Sequence, residues 1–366
     1  MVSGDFPSTL ANVTSRNFST STIEPYERPF GDFAIWLSAC IIFTFLIIGF
    51  ILNLLTILVI YKYPKVRNLF VYFIFSLCIS DLISAVISPL FWYRRTLGFD
   101  VWAIPGFFCK FFWAADIATS FATAMHIMTF GFLRYFSIKF PILYYRITDR
   151  NAIIGIIAIW FISISCGFIP FFIFFGARVR DRYSDSEDAR WPACTINMEW
   201  YEQYTLFQKI AYPLFLYGPL VMVVLVSVMI SFQVYATTQT RAAKSANETA
   251  SVKRKKKDKQ AVGQLILIVL SFLIGYIPFT VYEFWSVQSH PNTRYYKVLD
   301  YWMGLSEYFF IRFSECLNPI FYNLGSSKMR NCTKTYLEET FGNTEIKRRR
   351  SITAPISSRS RNNSVT

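Results

Sequence analysis

Seven stretches of this chain are too apolar, for too long, to belong to an ordinary soluble fold. Phe33 to Tyr61, Asn151 to Ala177, Ile210 to Thr240 and Gln260 to Tyr282 contain no Asp, Glu, Lys or Arg. The hydrocarbon core of a bilayer needs about 20 predominantly apolar residues in a helix. Asn68 to Tyr93 and Phe111 to Leu133 are each interrupted by a single acid, and Tyr301 to Gly325 carries three charges. Across 366 residues, 54% are hydrophobic and only 16% charged, against about a quarter charged in soluble domains. Disorder, a coiled coil and a conventional soluble enzyme domain are excluded. The expected fold is an all-α membrane protein, a bundle of seven transmembrane helices.

The formal charge of +14 raises nucleic-acid binding, but its distribution argues otherwise. With the N-terminus outside, 24 of the 37 Lys and Arg fall at the cytoplasmic face, eight of them in Arg241 to Lys259 and nine from Lys328 onward. That is the positive-inside pattern of a multi-pass membrane protein. The basic balance is topological, and no nucleic-acid partner is expected. Residues 1–32 are Ser/Thr-rich without an apolar run and read as an extracellular tail, so the first span serves as the signal anchor. Its sequons at Asn12 and Asn17 are glycosylation candidates.

The polar residues inside the spans make a resemblance specific. Gly49 and Asn53 stand in the first span, and Leu77 and Asp81 in the second. The third runs from Cys109 to Arg134-Tyr135, with Pro141 beyond it. Trp160 and Pro170 mark the fourth span, Pro219 the fifth, and Phe272 and Pro278 the sixth. Asn318-Pro319-Ile320-Phe321-Tyr322 closes the seventh. In this order the set resembles the rhodopsin-like (class A) G-protein-coupled receptors over nearly the whole of Phe33 to Phe341. No subfamily is assigned.

The resemblance implies a seven-transmembrane domain over 33–325, an amphipathic cytoplasmic helix over 326–341 and a disordered tail over 342–366. It places the protein in the plasma membrane, with ligand outside and a heterotrimeric G protein inside. Cys109 and Cys194 are expected to be bridged, both facing an oxidising compartment. Asp81, Asn53, Asn318, Thr123 and Ser314 match a polar site that often holds sodium in this family, and a hydrated network without an ion is the alternative. Cys332 is a palmitoylation candidate, or an ordinary free thiol. Seven Ser or Thr between Ser351 and Thr366 suit kinase and arrestin regulation of the tail. Lys253 to Lys257 can meet a G protein or anionic lipid.

Several positions depart from the family pattern. Leu133 replaces the acid beside Arg134, leaving Asp258 as the matching partner for an inactive-state latch. Tyr276 takes the usual tryptophan position before Pro278, and Ser227 stands where a tyrosine commonly supports the active state. Pro278, Pro319 and Tyr322 remain the expected pivots of activation. Arg312 occupies the position at which opsins carry their retinal lysine. A guanidinium stays protonated and does not form a Schiff base, so no retinal cofactor is expected.

The expected ligand is an amine or a peptide. Asp116 lies about 27 Å above Arg134 along the helix and matches the acid that holds ligand ammonium groups in aminergic receptors. Arg312 leaves three arrangements open. It can pair with Glu315, freeing Asp116 for a cation. It can lock Asp116 internally, or it can face an acidic ligand. Tyr276, Phe279, Tyr282 and Glu283 complete the candidate ligand residues. The aromatics Trp113, Phe121, Phe284 and Trp285 line a pocket or serve as packing and lipid-facing residues. An acidic-ligand or constitutively active receptor is the alternative. With only His126 and His290, no enzyme metal set forms, and a transporter is left with a few intramembrane charges and no repeat.

Overall fold

The computed structural model describes residues 28–178, 192–242, 248–286, 288, 291 and 293–342, without the side chains of 235–261 and 264. Among them the chain forms seven long helical spans. The first three are α1 (Asp32–Lys62), α2 (Leu69–Arg95) and α3 (Gly106–Lys139). After a short α4 (Pro141–Arg146), the fourth span consists of α5 (Asp149–Ser163), a π-helical turn and α6 (Ile169–Phe174). The fifth likewise joins α7 (Tyr201–Tyr212) to α8 (Gly218–Ala242) through a π-helical turn. The sixth and seventh are α9 (Glu248–Ser286) and α10 (Arg294–Gly325), followed by α11 (Ser327–Phe341). Five of these spans are long and apolar enough to cross a membrane by length and composition. The third and seventh are more polar, and their polar residues turn toward the bundle axis.

Local chemistry explains the starts of these helices. The Asn68 side chain accepts hydrogen bonds from the Phe70 and Val71 amides, capping α2. Thr148 and Asn151 form a capping box at α5, and Ser326 accepts from the Met329 amide at α11. Both π turns, Ile164–Phe168 and Pro213–Tyr217, end two residues before a proline, Pro170 and Pro219. A proline clashes with the carbonyl one turn back, and a widened turn makes room for it.

The fourth span was expected to continue through Ala177. It ends at Phe174, and Phe175–Ala177 is instead a strand, β1, paired antiparallel with β2 (Cys194–Ile196). The cause is long-range. Cys194 is bonded to Cys109 at the start of α3, as expected, with Cα atoms 5.6 Å apart. That tether draws the returning strand over the bundle, where Phe175 packs on Trp113 with ring centroids 4.4 Å apart. The fifth, sixth and seventh spans begin earlier than expected, because helices continue into the charged flanks once they have neighbours.

Small residues set the close contacts. A Cβ on Gly167 would stand 3.0 Å from the backbone of Ala118, so the fourth span approaches α3 more closely than any other residue allows. Between the second, third and fourth spans, the Trp160 indole N–H donates to Ser76 Oγ at 2.9 Å. Ser76 lies 2.9 Å from His126 Nε2, and His126 Nδ1 lies 2.6 Å from the Ala122 carbonyl. A carbonyl only accepts, so Nδ1 carries the proton and Nε2 accepts from Ser76. His126 is a satisfied core histidine.

At the opposite end from the disulfide, α11 packs against the base of α1. Glu339 accepts from the Tyr63 hydroxyl at 2.8 Å and pairs with Lys62 at 2.9 Å.

Candidate functional site

The centre of the site is Arg312. Its guanidinium contacts Asp116 at 3.1 Å and Glu315 at 3.0 Å, and its carbon lies 4.5 Å from the centre of the Tyr308 ring. Arg312 is 2% exposed, so the triad is removed from solvent. Ser84 donates to the other oxygen of Glu315 at 2.8 Å. Arg312 therefore engages Glu315 and Asp116 together: the internal lock on Asp116 is formed, and the arrangement that frees Asp116 for a cation is not. The third, with Arg312 presented to an acidic ligand, is disfavoured because both faces of its fork already meet carboxylates. One cation with two carboxylates leaves the triad one negative charge in surplus.

Nearer the disulfide lies a second buried cluster that sequence reading did not find. α2 runs to Arg95 rather than ending at Tyr93, which carries Arg94 and Arg95 inside, 3% and 4% exposed. Arg94 donates to the Cys194 carbonyl at 2.7 Å and stacks over Trp113. Arg95 donates to the Tyr282 hydroxyl at 3.0 Å, and that hydroxyl donates to Asp300 at 3.3 Å. Arg95 also faces Asp300 at 3.9 Å. A Cβ on Gly304 would press on the Arg95 guanidinium and the Tyr282 hydroxyl, so α10 passes close to both. Two more acids lie on the same two helices as Tyr282 and Asp300. Glu283 on α9 accepts from the Gln208 amide at 2.7 Å, and Glu307 on α10 is 8% exposed with Oε2 unpartnered.

The remaining ligand candidates are distributed as follows. Tyr276 donates weakly to the Ser120 carbonyl at 3.4 Å and sits 4.3 Å from the Phe272 ring centre. Phe279 packs beside Tyr212, while Phe121 and Trp113 belong to core clusters. Phe284 faces outward and is no pocket residue.

Deeper in the bundle, Asn318 donates to Asp81 at 3.1 Å, and Asn53 donates to the Gly49 carbonyl at 3.0 Å. The other Asp81 oxygen and the Asn53 oxygen are both buried without a protein partner. The Thr123 and Ser314 hydroxyls lie against Ser80 and Ser271 respectively. Oxygen donors with a carboxylate suit a hard monovalent cation, and Asp81 and Asn53 would be the residues that hold it.

The seven-transmembrane receptor model of the rhodopsin family matches residues 52–322. The chain belongs to the rhodopsin family of seven-transmembrane receptors. Similar relatives include a blue-sensitive opsin of Anolis carolinensis, 25% identical over 84% of this chain and 82% of the opsin. A green-sensitive opsin of Gallus gallus is 24% identical over 85% of this chain and 83% of its own length. The growth hormone secretagogue receptor type 1 of Sus scrofa is 24% identical over 78% of this chain and 76% of its own length.

In this rhodopsin-family receptor the residues expected to form an activation switch occupy the following places. Arg134 places its guanidinium 4.2 Å from the centre of the Phe70 ring on α2. Asp258 belongs to α9, but its side chain lies outside the described residues, as do Asn12, Asn17 and the Ser/Thr-rich tail. Pro278 and Pro319 lie inside continuous helices, and Tyr322 is fully buried. Ser227 donates to the Val223 carbonyl one turn back, at 2.7 Å. Around it, an apolar groove of about 610 Å³ opens between the fifth and sixth spans, lined by Val224, Val228, Phe232, Val269 and Leu273. Cys332 is 3% exposed and packs into the bundle base, so acylation there requires α11 to lift.

Proposed function

We propose that this rhodopsin-family receptor answers an extracellular ligand bearing a positive charge, an amine or a peptide with a basic group, and activates a heterotrimeric G protein. The observation that carries the reading is charge balance. Three inward-facing arginines, Arg94, Arg95 and Arg312, stand among five carboxylates, Asp116, Glu283, Asp300, Glu307 and Glu315. Buried charge without a partner is costly, and a cationic ligand offsets that cost. Unpartnered buried groups collect in the same half of the bundle, including Trp113 Nε1, Tyr301 and Tyr308 hydroxyls and Glu307 Oε2. Such groups normally have partners, which a polar ligand or water supplies.

On this reading the disulfide end and the N-terminal tail are extracellular, the protein sits in the plasma membrane, and the basic start of α9 meets the G protein. Kinases and arrestin act on the Ser/Thr-rich tail. Sodium at Asp81 and Asn53 acts as an allosteric ion. Although opsins are among its relatives, the receptor carries no retinal, because Arg312 stands at the lysine position and is engaged by two carboxylates. A second reading is constitutive activity, favoured by Leu133 beside Arg134.

The test is second-messenger output (cAMP, calcium and inositol phosphate) in cells expressing wild type, Asp116→Asn and Arg312→Gln, with and without panels of amines and of basic and acidic peptides. Responses to cationic ligands are expected. High output without ligand would favour the constitutive reading. Responses to acidic ligands alone, or silence throughout with surface expression confirmed, would overturn the proposal.

A further inference from the structure

Two aromatic rings at the disulfide end are more buried than their places in the chain suggest. Phe99 stands in the loop between α2 and α3, and Tyr301 early in α10, yet each is only 1% exposed. The ring that meets both belongs to the segment before α1. Phe30 stacks on Tyr301 with centroids 4.7 Å apart and meets Phe99 edge-on at 5.3 Å. Two residues earlier, the Arg28 guanidinium pairs with Asp100, the neighbour of Phe99, at 2.6 Å. Pro29 between them is buried, has a fixed backbone angle of its own and favours an extended Arg28. Asp32, two residues after Phe30, already belongs to α1. The segment is thus fastened at both ends, by a helix on one side and an ion pair on the other. Phe99 is held in turn by the Ala193 amide, which donates to its carbonyl at 2.7 Å beside the disulfide.

We propose that Arg28–Phe30 is a strap that closes the disulfide end of the bundle along its α1–α10 edge, and that access to the interior along this edge requires Phe30 to lift off Tyr301. The closure is independent of the charge of the ligand. What it covers is the end of α10 that carries the buried polar cluster. Asp300, next to Tyr301, engages Tyr282 and Arg95. Phe30 also packs on the apolar cluster that holds Tyr308, whose ring lies 4.5 Å from the Arg312 guanidinium. The two fastenings of the strap differ in kind. The stacked and edge-on rings form a favourable, largely dry contact. The Arg28 side chain is 48% exposed, so its ion pair is weak and screened by salt. A firm middle with a releasable end is what a reversible closure needs.

The experiment uses the full chain in lipid nanodiscs, with Leu305→Cys as the reporter. Leu305 lies one turn along α10 from Tyr301, in the same apolar cluster, and is fully buried. Its modification by the water-soluble thiol reagent 2-aminoethyl methanethiosulfonate is followed by peptide mass. The natural Cys78, fully buried in the main core, is read in the same samples. Relative to the Leu305→Cys parent, Phe30→Ala should speed modification at position 305 by about 10-fold or more, as for loss of a buried aromatic pair. Arg28→Gln should speed it by about 2- to 5-fold, the range of an exposed ion pair. Cys78 should react no faster in either variant. At about 0.5 M NaCl the ratio of Arg28→Gln to the parent should fall toward one, because salt screens the ion pair of the parent as well. An unchanged rate at position 305 in Phe30→Ala would overturn the strap. So would a rise at Cys78 in step with position 305, which would mean that the whole bundle loosens. A rate in Arg28→Gln equal to the parent at low salt, or a ratio that high salt leaves unchanged, would overturn the two-ended closure.

Discussion

Arg312 on the seventh span holds Asp116 on the third at 3.1 Å and, with the same guanidinium, Glu315 one turn along its own helix. A residue that matches the ligand acid of aminergic receptors is thus already satisfied from within. Fold and ligand compete for the same charge, and in this chain the fold has taken it.

Removing the bridge should therefore be costly. Arg312→Gln leaves two buried carboxylates without their cation, and loss of one side of such a pair typically costs about 3–5 kcal/mol. A lower thermal midpoint and reduced surface expression are expected. Adding Asp116→Asn should recover part of the loss. Strict additivity in that double-mutant cycle would show that the two side chains do not interact.

Arg134 rests on an aromatic ring, 4.2 Å from the centre of Phe70, with leucine beside it where the family usually has an acid. A cation over an aromatic face contributes about 0.5–2 kcal/mol. Phe70→Leu should raise ligand-free second-messenger output, and Leu133→Asp should lower it. Equal output from Leu133→Asp and wild type, at matched surface expression, would remove the weakened-latch reading.

The chain of hydrogen bonds from Trp160 through Ser76 to His126 ties three spans together. Ser76→Ala leaves the indole N–H and His126 Nε2 without partners, at about 1–3 kcal/mol for each unsatisfied group. The thermal midpoint should fall clearly. An unchanged midpoint would mean that water replaces the hydroxyl.

Tyr63, between the first span and α11, has its hydroxyl pushed up to about 12, by burial first and then by its hydrogen bond to Glu339. In the unfolded chain the phenol ionises near 10. Between those values the folded state keeps a proton that the unfolded state has lost, so stability falls as pH rises. The advantage of wild type over Tyr63→Phe should be fully present below about pH 9 and shrink toward pH 12. A difference in thermal midpoint that does not change with pH would contradict this.

The bundle itself was legible because bilayer thickness imposes a length on each apolar run, and because inward-facing polar residues such as Asp81 and Asn318 keep ordered positions along it. Their contact at 3.1 Å follows that order. The bridge between Cys109 and Cys194 was legible because both cysteines were expected to face an oxidising compartment. The Arg94–Arg95 pair was not. Two adjacent arginines at the end of an apolar run look like an interfacial flank, and only Gly304 and Asp300, some 200 positions away, make a buried place for Arg95. A signal existed in Glu307, an acid of the seventh span with no cation at helical spacing on its own helix. The choice between Glu315 and Asp116 for Arg312 depended on helix rotation, which spacing within one helix does not reveal.

The widened turn at Pro213–Tyr217 bears on more than the proline behind it. Each residue of an α-helix advances the side-chain direction by about 100°. One extra residue in that turn therefore sets the angular phase of all of Tyr201–Tyr212 against the lower half of the same span. Closing it to a regular helix would swing Gln208 away from Glu283, a contact made at 2.7 Å, without altering any residue near either side chain. The fifth span thus works as a two-piece shaft with a fixed offset, and that offset decides which of its faces looks into the receptor's mouth.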